Sequence, residues 1–254
     1  MMTIGSLFSG IGGLELGLEW AGLGPVLWQV EIDPYCRAVL AKHWPDAVRY
    51  EDVRSASNLA PVDLICGGFP CQDVSSCGKR EGLQGKRSGL WWEYVRVLQA
   101  LRPSWCIVEN VASGATRWLR PIRHHLHMLG YRTRALGISA RDMGAPHLRR
   151  RIFVIGHTYM SSKPVVFVND EASRLPEPAT DSNMPRCLQQ RGAISDDPEL
   201  LAAQRADWWR VEPDVGRVAN GVPSRVDRLR ALGNAVVPQC AQVVGQVVKQ
   251  MMEN

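Results

Sequence analysis

The stretch LFSGIGGLELGL, residues 7–18, joins an apolar run to an amphipathic run through three closely spaced glycines. Before it, TIGSLF (3–8) has the pattern of a buried β-strand, and after it GGLELGLEWAG (12–22) has helical periodicity. Glycines between a strand and a helix let the backbone turn tightly and approach a ligand closely. No lysine follows at P-loop spacing, so the turn does not predict a triphosphate site.

The alternation of strands and helices continues outward from this unit. Further strands are predicted at 25–31, 62–67, 104–110, 131–138 and 151–156, with a short strand before Asp52. Helices are predicted at 34–44, 90–102, 116–130 and 235–251. This order predicts an α/β fold, with a doubly wound, mostly parallel sheet and helices on both faces.

Composition narrows the class of protein further. The 254 residues suffice for one sizeable core, and the formal charge of +5 permits a polyanionic partner without requiring one. No apolar run approaches the ~20 residues of a membrane-spanning helix, and the N-terminus lacks signal-peptide features, so we expect a cytoplasmic protein. The seven cysteines show no CxxC spacing, which predicts neither a disulfide framework nor a structural zinc site.

Two acids mark the same edge of the predicted sheet as the glycine turn. Glu31 ends the second strand, ~20 residues after the glycines, where an acid can bind ribose hydroxyls. Asp52 follows the third strand, where its carboxylate could accept from an adenine amino group. Each acid alone is more often a solvated loop residue than a ligand contact, but together with the glycines they predict a nucleoside pocket.

A thiol and a carboxylate follow the next two strands. Cys71 lies in GGFPCQDVSSCGKREG (67–82), and Glu109 lies in VENV. Cys71 taken alone could be a half-buried structural cysteine or a nucleophile. Its placement at the same sheet edge as Glu109 favours a catalytic pair.

The motif order now resembles the DNA (cytosine-5)-methyltransferase family. The matching segments are FSGIGG, ExD (31–33), GGFPCQDVS, ENV, RRRIFVIG and RLRALGNAVVP, and they run through most of residues 3–240. The resemblance implies a Rossmann-like methyltransferase fold and transfer of a methyl group from S-adenosylmethionine to C5 of a cytosine in duplex DNA. It also implies that the enzyme rotates this cytosine out of the stack.

The resemblance implies four catalytic residues. Cys71 would add covalently to C6 of the cytosine, which makes C5 nucleophilic, and Glu109 would protonate or hydrogen-bond N3. Arg149 and Arg151 match the paired arginines that contact the target base, Cys71 and the DNA backbone. The family usually has glutamine where this chain has His147, so we expect altered rather than lost function at that position.

The same resemblance implies a cofactor pocket and a set of DNA contacts. Glu31 would bind the ribose, Asp52 the adenine amino group, and Ile32 or Val53 the adenine faces. The expected cofactor residues are Phe8, Gly10, Gly12, Gly13, Glu31, Ile32, Asp52, Val53, Pro70, Leu90 and Asn234. The expected DNA contacts are Gln72, Ser75 or Ser76, Lys79, Arg80, Lys86, Arg87, and Arg225 or Arg228.

We therefore expect a catalytic and cofactor-binding domain at 1–157, a small target-recognition region at 158–214 and a segment at 215–254 that completes the catalytic domain. The expected state is a monomer on DNA in a bacterial or phage-infected cell, and a partner restriction endonuclease is compatible with it.

Three alternatives stay open: an RNA methyltransferase, a silent DNA-binding homologue, and a flavin or nicotinamide oxidoreductase. The intact Cys71, Glu109 and Arg151 argue against the second, and the lack of CxxC and GxGxxG patterns argues against the third.

Overall fold

The computed structural model describes residues 2–70, 89–158 and 225–253. Within this part of the chain, seven strands form one sheet in the order β3-β2-β1-β4-β5-β7-β6. The strands are β1 (Ile4–Leu7), β2 (Val26–Val30), β3 (Val48–Tyr50), β4 (Leu64–Gly67), β5 (Trp105–Val111), β6 (Tyr131–Ser139) and β7 (Arg150–Thr158). The predicted mostly parallel, doubly wound sheet is confirmed, and every predicted strand is present.

Six α-helices accompany the sheet in the described residues. They are α1 (Gly13–Trp20), α2 (Pro34–His43), α3 (Leu90–Leu101), α4 (Ala115–Met128), α5 (Arg225–Asn234) and α6 (Pro238–Glu253). Buried residues of α3 and α4 pack on one face of the sheet, and those of α1 and α6 pack on the other. None of these helices is both long and apolar enough to cross a membrane.

Strand β7 runs against its neighbours, which the alternating pattern did not predict. It pairs antiparallel with both β5 and β6, whereas the pairs formed by β1, β2, β3 and β4 are parallel. Only residues 140–149 connect β6 to β7, and they contain a single 3₁₀ turn, Ala140–Met143. A parallel return requires a crossover of about a dozen residues or more, so this short link forces the antiparallel arrangement.

The last helix packs beside the first βα unit. The predicted helix at 235–251 is observed as α6, whereas α5 has no counterpart among the predicted elements. Gly17, inside α1, allows the close approach of the two helices, because a Cβ there would lie 2.1 Å from the carbonyl oxygen of Pro238. The end of the chain therefore packs directly on the helix that follows the glycine turn.

Candidate active site

The Glu31 carboxylate joins two loops at the carboxyl edge of the sheet. Its Oε2 accepts a hydrogen bond from the Gly10 amide at 2.7 Å, and its Oε1 accepts one from the Asp33 amide at 2.8 Å. Asp33 in turn caps α2 by accepting from the amides of Tyr35 and Cys36. The turn after β1 and the turn after β2 are thus held together by one half-buried carboxylate, which keeps lone pairs for a ligand.

The three glycines of the first turn have different surroundings. A Cβ at Gly10 would meet no atom of the described residues within 4 Å, although its φ of +56° disfavours other residues. A Cβ at Gly12 would lie 2.3 Å from the Trp44 ring, and one at Gly13 would lie 2.2 Å from the Val236 carbonyl oxygen. Gly10 therefore borders open space, whereas close packing against the protein explains the glycines at 12 and 13.

The other expected cofactor residues are only partly open to a ligand. The side chain of Ile32 is 67% exposed, so an apolar surface lies beside Glu31. Val53 is 3% exposed and belongs to the core, which favours Ile32 over Val53 for contact with a ligand face. Asp52 is half-buried and accepts from the Arg54 amide at 2.9 Å.

Four further members of the expected pocket were named from the resemblance. Phe8, Pro70 and Leu90 are half-buried, and Asn234 is exposed at the end of α5. Phe8 has a left-handed backbone, with φ of +57°, at the point where the chain leaves β1. Their contacts with a cofactor stay predictions.

Glu109 is buried near the end of β5 and lies against the segment that follows β4. A Cβ on Gly68 would lie 2.4 Å from Glu109 Oε2, so only a glycine at this position leaves room for the carboxylate. Arg151 forms an ion pair with Glu109, with 2.8 Å between Nε and Oε1. Burial raises the pKa of Glu109 to about 7, and the charges of Arg151 and Arg149 oppose that rise. Near neutral pH this carboxyl can therefore either donate or accept a proton.

Asn110 and Phe69 fix the backbone that leads to Cys71. The Asn110 side-chain amide donates to the Phe69 carbonyl at 3.2 Å, while its oxygen accepts from the Val111 amide at 2.8 Å. The Phe69 ring is buried, with its centroid 5.8 Å from that of Trp91 and 6.4 Å from that of Trp118. Cys71 itself lies outside the described residues, as do Gln72, Ser75, Ser76, Lys79, Arg80, Lys86 and Arg87.

Arg149 and Arg151 have different partners in the structure. Arg151 contacts Glu109, whereas the Arg149 guanidinium donates to the carbonyls of Gly233, at 2.8 Å, and of Ala235, at 3.1 Å from Nε. Arg149 has a left-handed backbone, with φ of +29°. It therefore binds the segment between α5 and α6, and its contact with a target base stays a prediction. Arg225 is exposed at the start of α5.

Several residues that shape this edge were not singled out in the sequence. Arg37 donates to the carbonyls of Glu31, at 3.1 Å, and Ile32, at 2.7 Å, and so fixes the turn after β2. Gly68 could have been found from the paired glycines before the Phe-Pro-Cys sequence. Arg37 carries no such signal, because a helical arginine is usually solvated.

The described residues contain no cluster of three or more His, Cys, Asp or Glu side chains suited to a metal ion. The four described cysteines (Cys36, Cys66, Cys106 and Cys240) are buried and unpaired.

The strand order and the acids at the carboxyl edge are those of a Rossmann-like methyltransferase domain. The sequence model for C-5 cytosine-specific DNA methylases matches residues 2–205, and the chain belongs to that family. This match confirms the resemblance that the sequence motifs indicated.

Curated relatives and solved structures agree with this family. The chain is 35% identical over 182 residues to the type II methyltransferase M2.BsuMI of Bacillus subtilis. The aligned region covers 67% of this chain and 46% of that protein. It is 37% identical over 172 residues to M1.HphI of Haemophilus parahaemolyticus, covering 61% and 45% of the two chains. The chain thus spans less than half the length of these two relatives.

Two solved structures share the fold. One is described as a putative DNA modification methyltransferase encoded within a prophage of E. coli, with a TM-score of 0.51, 27% identity, and coverage of 70% of this chain and 56% of that one. The other, the Dnmt2 methyltransferase of S. pombe, has a TM-score of 0.62 over 100% of this chain and 99% of that one, at 15% identity. The second likeness shows the fold alone.

Proposed function

We propose that this protein is a DNA (cytosine-5)-methyltransferase that methylates a cytosine within a short duplex site. The observation that carries the proposal is the contact of Glu109 Oε2 with Gly68, three residues before Cys71. With the bond from Asn110 to Phe69, a buried carboxyl thus lies beside Gly68 and Phe69, which precede Cys71 in the sequence.

In the proposed reaction, Cys71 adds as a thiolate to C6 of a flipped-out cytosine, and Glu109 donates a proton or hydrogen bond to N3. Electron density moves to C5, which becomes nucleophilic enough to take a methyl group. Solvent water then takes the C5 proton, the Cys71–C6 bond breaks to release the thiolate, and N3 returns its proton to Glu109, which restores the aromatic ring. The charge of Arg151 keeps the Glu109 carboxyl from a still higher pKa, so that it exchanges its proton near neutral pH.

The cofactor in this proposal is S-adenosylmethionine, which would supply an electrophilic methyl group and be converted to S-adenosylhomocysteine. The open space over Gly10, the remaining lone pairs of Glu31 and the exposed Ile32 fit a ribose and an adenine face. We expect Glu31→Ala to weaken cofactor binding more than DNA binding, as measured by titration calorimetry. The reverse order would place the cofactor elsewhere.

The remaining features of the proposal concern specificity and setting. We propose that residues 158–214, of which 159–214 lie outside the described residues, read the target sequence, and that the segment 215–254 completes the catalytic domain. The protein would act as a monomer on DNA in the cytoplasm of a bacterial or phage-infected cell. A partner endonuclease belongs to this setting if the methylated site is also a cleavage site.

Base-resolution conversion sequencing tests the proposal directly. DNA from a methylation-deficient host that expresses the full chain should show protected cytosines within one short repeated sequence. The Cys71→Ser variant should show none while it still binds S-adenosylmethionine. A soluble wild-type protein that binds the cofactor but protects no DNA cytosine would overturn the proposal, and protected cytosines in RNA would assign the substrate to RNA instead.

A further inference from the structure

The outer face of α4 carries uncompensated positive charge. Arg117 and Arg120 are exposed, and His124 and His127 continue the same face at helical spacing. Among the described residues neither arginine forms an ion pair. By contrast, Arg37 and Arg96 on α2 and α3 are paired with nearby glutamates. We call Arg117, Arg120, His124 and His127 the α4 basic face.

The positive charge in this part of the chain exceeds what the net charge of the whole protein would lead one to expect. Residues 110–141 contain six arginines and no aspartate or glutamate, a formal charge of +6, whereas the whole chain carries +5. A solvated surface helix normally interleaves both signs, since like charges at i,i+3 and i,i+4 destabilise it. The excess indicates an anionic partner.

The fold places the N-terminal half of the α4 basic face near the sheet edge of the candidate active site. Helix α4 begins four residues after β5, so its first turn lies at the sheet edge that bears Glu109. Its orientation is fixed by Trp118, which is fully buried and whose Nε1 donates to the Val111 carbonyl at 3.2 Å. Arg117 and Arg120 therefore lie within about 8 Å, along the helix axis, of the start of α4.

A neighbouring arginine extends the positive surface toward the edge strand. Arg123 Nε donates to Thr133 Oγ1 of β6 at 3.0 Å, which holds its guanidinium in place. From Arg117 to Arg123 the helix rises about 9 Å, a length over which duplex DNA presents about five phosphate charges.

We propose that the α4 basic face binds the phosphate backbone of the DNA duplex that flanks the target cytosine. This inference rests on the proposed function, because it assumes that duplex DNA approaches the carboxyl edge of the sheet. The contacts read no sequence; they position the duplex so that the target base reaches Cys71 and Glu109.

The test measures how DNA affinity depends on salt in the full chain. Each phosphate contact contributes about 0.9 to the slope of log affinity against log salt concentration. The double variant Arg117→Gln/Arg120→Gln should therefore lower the slope by about 1.8, which corresponds to about thirtyfold weaker binding at about 0.15 M salt. A matched control, Lys42→Gln/Lys249→Gln, removes the same charge from exposed positions near the far ends of α2 and α6.

The inference predicts that the control keeps the wild-type slope and that both variants keep the wild-type affinity for S-adenosylmethionine. An unchanged slope in the α4 double variant, while the wild type methylates DNA, would overturn this inference alone. Equal losses in the two double variants would also overturn it, since the effect would then be one of net charge. A lower slope for an RNA duplex but not for DNA would assign the α4 basic face to RNA. A wild type that methylates no DNA would overturn the proposed function and this inference together.

Discussion

Gly68→Ala tests whether the position of Glu109 controls catalysis. The added Cβ would lie 2.4 Å from Glu109 Oε2 and 3.2 Å from the Glu109 carbonyl oxygen, so the carboxylate must move by about 1 Å to reach ordinary contact. A misplacement of about 1 Å in a catalytic group can lower the rate about 100-fold. That factor equals about 2.7 kcal/mol of lost transition-state stabilisation. The atom displaced is the end of a side chain, so we expect the fold to persist.

The assay compares single-turnover methylation by Gly68→Ala with that by Gly137→Ala. At Gly137, on the edge strand β6, a Cβ would be 3.5 Å from the nearest atom, a guanidinium nitrogen of Arg150, which is ordinary contact. We expect a slow Gly68 variant with normal S-adenosylmethionine affinity and a control at the wild-type rate. A Gly68→Ala rate equal to that of the wild type would refute the argument that this contact positions the acid.

Three other perturbations concern the ionisable side chains of Glu109, Glu15 and Arg149. Because the pKa of Glu109 is raised to about 7, its proton is lost as pH rises through 7, and the rate of methyl transfer should fall there; Glu109→Gln should be much slower and lack that alkaline limb. Burial raises the pKa of Glu15 from 4.5 to about 6, so the folded state binds this proton more tightly than the unfolded state. Its contribution to stability is fully present well below pH 4.5 and declines by about 2 kcal/mol in total as the pH rises through 6 to about 7. Urea unfolding should therefore show Glu15→Gln gaining that amount over wild type between pH 4.5 and 7, and a constant difference would contradict it. Arg149→Met should lower the free energy of unfolding by about 1–3 kcal/mol, because carbonyls that it binds lose a charged donor; unchanged urea midpoints would argue against this.

The fold was predictable wherever periodicity and turn residues agreed. The strands and the helices α1, α2, α3, α4 and α6 follow from apolar runs and glycine positions that act locally. Helix α4 formed despite Pro121 at its seventh position, and it packs Trp118 and Ile122 into the core. The direction of β7 depended on the length of its link to β6. Helix α5 has a weakly apolar sequence with Val226, Leu229 and Leu232 exposed, so periodicity carried little signal.

The sequence predicted the acids of the candidate site. It did not predict which neighbouring residues are open to a ligand and which pack against the protein. The order of the motifs predicted that Glu31 and Glu109 lie at one edge of the sheet, because the carboxyl ends of parallel strands meet there. Sequence could not separate Gly10, which borders open space, from Gly13, which lies against Val236, since that contact joins residues far apart in the chain. The side chain of Gln29 is fully buried, and its polar atoms find no hydrogen-bond partner among the described residues. The apolar run of β2 gave no signal of this.

Residues 148–151 show how one short basic segment can connect three parts of a discontinuous site. Side chains two residues apart in a strand point to the same face, yet Arg149 and Arg151 reach different partners. Arg149, which has a left-handed backbone, donates from its side chain to the carbonyl of Ala235 between α5 and α6, while Arg151, within β7, reaches Glu109. The Leu148 carbonyl, one position earlier, accepts from the Ser139 hydroxyl at the end of β6. Because a non-glycine residue in this conformation costs about 1–3 kcal/mol, it persists only where surrounding contacts hold it. The hydrogen bonds of Arg149 supply that support, so the geometry of Arg151 and Glu109 depends on a segment more than 80 residues further along the chain.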